Sequence, residues 1–233
     1  MSITRLREAD REVARLAECD GYAILPSVLD AEACDSLIDE LGPVGGAGRR
    51  GLLGLPAIAE LARSARLIDL VRPLLAGEPR PVRTIYFDKS PEANWLVAWH
   101  QDLTLALRER HETPDFGPWS VKEGIPHVQP PAELLAQMIT VRLHLDDADT
   151  DNGALRVISG SHRRGRLAPQ EIEAARANLP EVTCSVPACG AMLMRPLLLH
   201  ASGKSRSARR RRVLHIEYAG FELPTPLEWH EGA

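Results

Sequence analysis

MITVRLHLDDADTDNGALRVI (138–158) decides the fold class, because it reads as strand, turn, strand. The first run, MITVRLHL (138–145), alternates so that Thr140, Arg142 and His144 leave one face and the aliphatic residues between them leave the other. The second, ALRVI (154–158), is short and apolar, and the Asp-rich segment between them ends in Asn152-Gly153, a turn signal. The same texture recurs outward in both directions, in VRTIYF (82–87), WLVAWHQDL (95–103), AMLM (191–194), PLLLH (196–200) and RVLHIEY (212–218). Many short strands with Gly, Pro and Asp between them predict a β-sandwich or small barrel.

Upstream the period changes from two to about three and a half. Leu6, Ala9, Val13, Leu16 and Ala17 fall at helical spacing, and GYAIL (21–25) follows as an extended run. Asp30 is placed to cap a helix carrying Ala33, Leu37, Ile38 and Leu41, which GPVGGAG (42–48) ends. Ser64 caps another, carrying Leu67, Ile68, Val71, Leu74 and Leu75. The expected architecture is therefore mainly β with flanking α-helices. It forms one domain over residues 1–233, with a helical part at about 1–78, a β core at about 81–220 and an insert at about 104–137. The insert is too long for a plain hairpin turn and is rich in Pro and Gly, the profile of a lid or of a disordered insert.

Composition narrows the functional classes. Against 28 basic residues stand 32 acidic ones, a formal charge of −4 that gives no overall field for nucleic acid or an anionic membrane. No apolar run approaches the roughly 18 residues of a membrane span, and the opening residues mix both charge signs. The expectation is a cytoplasmic protein acting on a small molecule; the sequence carries no signature of oligomeric state. Cys19, Cys34, Cys184 and Cys189 form no CxxC pair and read as reduced thiols. Only Lys89, Lys122 and Lys204 among the basic residues are lysines.

Two features carry chemistry. In WHQDL (99–103), His100 and Asp102 stand two apart, so on a strand both leave the same face and can converge on one ion. His200, closing PLLLH, is the candidate for a second imidazole; two His and one carboxylate occupy one face of an octahedron and leave three positions open. Alone, HxD reads equally well as a chance pair on a wet strand face. The second feature is the basic run RSARRRR (206–212), in which alternation separates Arg211, Val213 and His215 from Arg210, Arg212 and Leu214. A guanidinium fork at Arg211 suits a carboxylate held bidentate, with Ser202 as a hydroxyl donor. The alternative for the cluster is a solvated basic loop, or a nuclear-type or nucleic-acid patch.

Taken together, GYAILPSVLDAEACDSLIDEL (21–41), WHQDL (99–103), DNGALRVISGSH (151–162) and HASGKSRSARRRR (200–212) resemble the phytanoyl-CoA dioxygenase family of Fe(II)- and 2-oxoglutarate-dependent oxygenases. The resemblance implies a double-stranded β-helix, the cupin-like jelly roll. It also implies that His100, Asp102 and His200 hold iron, that Arg211 holds the far carboxylate of 2-oxoglutarate, and that Gln101 and Ser202 lie near that cosubstrate. The implied reaction consumes dioxygen, converts 2-oxoglutarate to succinate and CO2, and hydroxylates a small molecule. Asp102 stands where related halogenases carry a small residue, which favours hydroxylation or desaturation.

Arg142 departs from the family pattern, which often has a cosubstrate-lining aromatic residue there. It is expected either to touch 2-oxoglutarate or an acidic substrate, or to pair with Asp146, Asp147 or Asp149. His144, Phe116, Trp119 and His127 are candidate substrate contacts, with anchoring of the insert on the body as the alternative for the two aromatic residues and a surface or structural role as that for His127; His215 is expected as a buried histidine bonded to backbone. Two competing readings stand beside the oxygenase: a non-catalytic jelly-roll binding protein, and a cupin-like isomerase or hydrolase that uses a divalent ion without a 2-oxo acid.

Overall fold

The computed structural model describes residues 3–44, 46 and 48–232. Helices α1 (Ile3–Cys19), α2 (Ala31–Leu41), α3 (Pro56–Arg63), α4 (Ala65–Val71), α5 (Ala132–Leu135) and α6 (Pro169–Asn178) accompany a set of antiparallel strands. In chain order these are β1 (Tyr22–Leu25), β2 (Arg49–Arg50), β3 (Arg80–Lys89), β4 (Val97–His100), β5 (Leu105–Ala106), β6 (Trp119–Lys122), β7 (Ile125–Val128), β8 (Met138–His144), β9 (Leu155–Val157), β10 (Val182–Cys184), β11 (Ala191–Met194), β12 (His200–Ser202) and β13 (Arg211–Ala219).

The helices form where their caps allow. Asp30 accepts a hydrogen bond from the Ala33 amide at 2.8 Å, and the Ser64 hydroxyl accepts from that of Leu67 at 3.5 Å. The side chains of Leu6 and Ala9, and Gly45 and Ala47 of the segment after α2, lie outside the described residues.

A major sheet ordered β1-β11-β8-β13-β3-β2 faces a minor sheet ordered β10-β9-β12-β4, the two walls of a jelly roll. Every residue of β8 is buried, and the alternation of its side chains explains why. Ile139, Val141 and Leu143 join Tyr86, Leu214 and Ile216 beneath α1–α4, in one apolar cluster with Ala17, Leu37, Ile58 and Leu67. Arg142 and its neighbours on the opposite face look into the space between the sheets. The helices thus cover one side of the major sheet and leave the other to build a site.

Two strand expectations need correction, and of the two readings of the insert the structure excludes the disordered one. The run PLLLH is a strand only from His200 onward; residues 196–198 turn, with the Leu198 amide bonded to the Arg195 carbonyl at 3.0 Å. Likewise WLVAWHQDL is a strand only over Val97–His100, so Asp102 stands past its end. The insert at 104–137 is ordered as a third sheet, β5-β7-β6, followed by the single turn α5. Its Leu105, Leu107, Val128 and Leu135 share one apolar cluster with Val82, Leu197, Leu227 and Trp229 of the body, which draws the segment onto it.

Candidate metal centre

Pairing of β12 with β4 sets His200 directly opposite His100, so the two imidazoles stand side by side, ring centres 4.2 Å apart. Asp102 joins them because its amide donates to the Pro196 carbonyl at 2.9 Å, tying the end of β4 to the turn before His200. Its carboxylate oxygens lie 3.7 Å from Nε2 of each histidine, and one ligand atom from each of the three residues falls within 4.8 Å of the others. Nδ1–H of His100 donates to the Ala98 carbonyl and that of His200 to the Leu198 carbonyl, each at 2.8 Å. Both Nε2 lone pairs are thereby left free and aimed at one point, the tautomer a metal ligand needs. Burial pushes the His200 imidazole down to about 4 despite the Asp102 charge, so it is neutral at pH 7. Burial would raise the Asp102 carboxyl, but His200, His215, His100 and Arg83 outweigh it and hold the group ionised.

The triad opens into a cavity of about 430 Å³, inside the range of small-molecule sites. At one end lies Arg211, 3 % exposed, the first residue of β13. One of its nitrogens reaches the Ser202 hydroxyl at 3.4 Å; its Nε and Nη1 are buried with no partner. Burial and the nearby Arg142 charge depress this guanidinium to about 9, the mark of a cation held without a counter-charge. Lys89 stands across from it in register, fully buried over the Trp95 ring, and donates to Ser202 Oγ at 3.1 Å and the Gly203 carbonyl at 2.6 Å. Burial and Arg211 push its ammonium down to about 7. The Asn152-Gly153 turn closes this cradle. Gly153 has φ +77°, its carbonyl accepts from Ser202 Oγ at 2.8 Å, and a Cβ there would meet the Gly203 oxygen at 2.6 Å.

Arg142 is also buried in the cavity wall, its guanidinium 5.5 Å from the Phe87 ring centre. The carboxylates expected to pair with it are engaged elsewhere, Asp146 by Arg212 at 2.7 Å, Asp147 by the Ala188 amide at 2.8 Å and Asp149 by Arg209 at 2.6 Å. Arg142 instead donates to His215 Nδ1 at 2.9 Å, and His215 Nε2–H donates to Glu217 at 3.1 Å, so His215 is bonded to side chains and not to backbone. Glu217 in turn pairs with Arg83 at 2.6 Å.

The remaining expected residues divide. Gln101 borders the cavity, yet its amide is fully used, donating to the Gly165 and Leu197 carbonyls and accepting from the Leu167 amide. It braces the segments around the triad. His127 lines the cavity, whereas His144, Phe116 and Trp119 do not. Phe116 and Trp119 pack in the insert's apolar cluster, and His144, 2 % exposed, is kept neutral first by burial and then by Arg142 and Arg211. Lys89, which stands behind the cavity wall against Ser202, was not singled out from the sequence as a neighbour of Arg211. A lysine at a strand end, in a chain whose cations are nearly all arginine, was the available signal.

A jelly roll whose inner wall carries two imidazoles and a carboxylate on one face, beside a buried guanidinium, defines a class of metal-dependent enzymes. The profile of the phytanoyl-CoA dioxygenase family matches residues 56–213, and the chain belongs to that family. It is 27% identical, over 182 residues, to a probable alpha-ketoglutarate-dependent hypophosphite dioxygenase of Stutzerimonas stutzeri, covering 71% of this chain and 54% of that protein. The chain thus spans about half the length of the curated relative it matches. Among solved structures it resembles the non-heme alpha ketoglutarate dependent epimerase SnoN from nogalamycin biosynthesis, with TM-score 0.68 and 20% identity over 91% of this chain and 81% of that one. Iron-bound EctD from S. alaskensis superposes with TM-score 0.69 and 18% identity over 94% and 77%. These likenesses establish the fold. Among the described residues no helix is long and apolar enough to cross a membrane.

Proposed function

We propose that the protein is an Fe(II)- and 2-oxoglutarate-dependent dioxygenase that hydroxylates a small molecule. Substrate, 2-oxoglutarate and O2 are converted to hydroxylated substrate, succinate and CO2. The observation that carries this reading is the adjacency of two features in one cavity, three convergent ligands and a buried arginine with two unpartnered nitrogens. The residues suit the cofactors they would hold. His100, Asp102 and His200 supply two neutral imidazole nitrogens and one carboxylate, a ferrous facial set. Arg211 supplies the free donors for the far carboxylate of 2-oxoglutarate, with Ser202, whose own proton goes to the Gly153 carbonyl, and the Lys89 ammonium close beside it. Bound iron would supply oxygen activation coupled to decarboxylation of the 2-oxo acid; the protein's part is to hold, orient and keep water away.

The cupin-like isomerase or hydrolase reading gives Arg211 no task, and leaving a cation buried without a partner is costly. Incubating the purified protein with Fe(II), 2-oxoglutarate and air should yield succinate and consume O2, with slow uncoupled turnover in the absence of substrate. Binding of iron and 2-oxoglutarate with no succinate in any substrate screen would favour the non-catalytic binding protein. Unchanged metal-dependent activity in Arg211→Ala would favour the isomerase or hydrolase.

A further inference from the structure

The cavity has a second cationic end. Arg83 and Lys89 both point inward from β3, six residues apart, so the rise along a strand separates their Cα atoms by about 20 Å. Arg211 pairs in register with Lys89, and Glu217 pairs with Arg83 at the other end of the same ladder. Around Arg83 stand Arg50, from β2, and Lys122, from β6, and all three line the cavity that holds the triad. 2-Oxoglutarate, a five-carbon diacid anchored at Arg211, is far too short to reach this end.

The charges here are only partly compensated. Glu217 pairs with Arg83 and Glu123 with Arg50, while Lys122 donates to Thr104 Oγ1 at 3.2 Å and, among the described residues, meets no carboxylate at ion-pair distance. Arg83 is 8 % exposed, its Nη1 donates to the Thr104 carbonyl at 2.9 Å, and its Nε is buried without a partner. Partial burial and the Arg83 and Arg50 charges disfavour the Lys122 ammonium, the signature of cations crowded together. Asp102 is the sole carboxylate in the cavity lining, and in the oxygenase reading it is committed to the metal. An arriving anion would relieve the crowding.

We propose that this end is the subsite for the primary substrate, and that the substrate carries an anionic oxygen group, a carboxylate, sulfonate or phosphonate, gripped by Arg83 and Lys122 with Arg50 at the rim. The inference rests on the oxygenase reading, since it needs 2-oxoglutarate to occupy the Arg211 end. It also assigns the geometry: the anionic group sits at one end, and the carbon to be oxidised lies between that group and the triad.

The test uses the anaerobic enzyme loaded with Fe(II) and 2-oxoglutarate, titrated calorimetrically with propionate, methanesulfonate, methylphosphonate and neutral propionamide. At least one anion should bind about tenfold or more tighter than propionamide, a preference that Lys122→Met removes and Lys122→Arg largely restores. Lys122 is exposed, so these variants do not disturb the core. Equal or undetectable binding of all four probes overturns the subsite while leaving the 2-oxoglutarate site intact. So does an anion preference that survives both Lys122→Met and Arg50→Met. Failure of the wild-type protein to bind 2-oxoglutarate in the first titration sinks the oxygenase reading, and the subsite with it.

Discussion

Arg210, just before β13, Arg211 on its inner side and Arg212 on its outer side are consecutive residues with opposite fates. Arg210 donates through two nitrogens to Asp88, and Arg212 through two nitrogens to Asp146, each a fork closed on a carboxylate. Arg211 is buried beside Arg142 and Lys89, all cations, and has no carboxylate of its own. Strand alternation creates the difference, and its direction is informative. Where the fold alone needs a guanidinium it provides the counter-ion, and where a ligand is to bring the counter-ion the protein leaves the fork open.

The comparison breaks most completely if the inner face is not a ligand face. His200→Ala should lower iron binding by more than the about 10–100-fold lost when a supporting group of a metal ligand is removed. Metal analysis after Fe(II) loading checks this, and wild-type occupancy would dissolve the inner site. Next in size, Arg211→Met should weaken 2-oxoglutarate binding by about 30-fold or more, the cost of removing one partner from a buried charge pair. Arg212→Met should leave that affinity within a factor of two. Equal losses in the two variants would erase the contrast between the faces.

Lys89 sharpens it further. Its pKa is about 7 in the folded protein and 10.5 ordinarily, so between those values the unfolded chain binds more protons. The ligand-free protein should therefore gain stability as pH rises through this window, and Lys89→Met should flatten the slope of melting temperature against pH. A carboxylate arriving beside the amine reverses the shift, so 2-oxoglutarate binding near pH 8 should take up part of a proton. Calorimetry in two buffers of different ionisation enthalpy reads this; the same enthalpy in both would place the ligand elsewhere. Smallest of all, breaking the outer pair, whose side chains are each 20% exposed, with Arg212→Met should cost about 1 kcal/mol in denaturant unfolding.

The parts of this arrangement legible from the chain were those fixed by local order. The alternation around Arg211, the Asp30 and Ser64 caps and the Gly153 turn depend on neighbours in sequence and stand where that spacing implies, whereas Asp102 of the HxD pair reaches the histidines from beyond the strand end, through its amide bond to Pro196. What escaped depended on register between distant strands. Lys89 meets Arg211 only because β3 and β13 pair as they do, and Arg142 finds His215 for the same reason across β8. PLLLH looks like a strand by composition, but the turn that brings the Pro196 carbonyl to the Asp102 amide needs those residues bent. Of the two readings open for Phe116 and Trp119, substrate contact and anchoring the insert on the body, the structure shows the anchor: both pack in a cluster shared with Val82, Leu197 and Leu227.

The central claim is that an open guanidinium at Arg211 seats 2-oxoglutarate against iron held by His100, Asp102 and His200. The visible charge-transfer absorption of the anaerobic protein with Fe(II) and 2-oxoglutarate tests it most directly, because the band requires the 2-oxo acid to chelate the metal. The account predicts a band that saturates with 2-oxoglutarate in the wild type and in Arg212→Met, and that at the same concentration is largely lost in Arg211→Met. A featureless wild-type spectrum, or a band indifferent to Arg211, would contradict it.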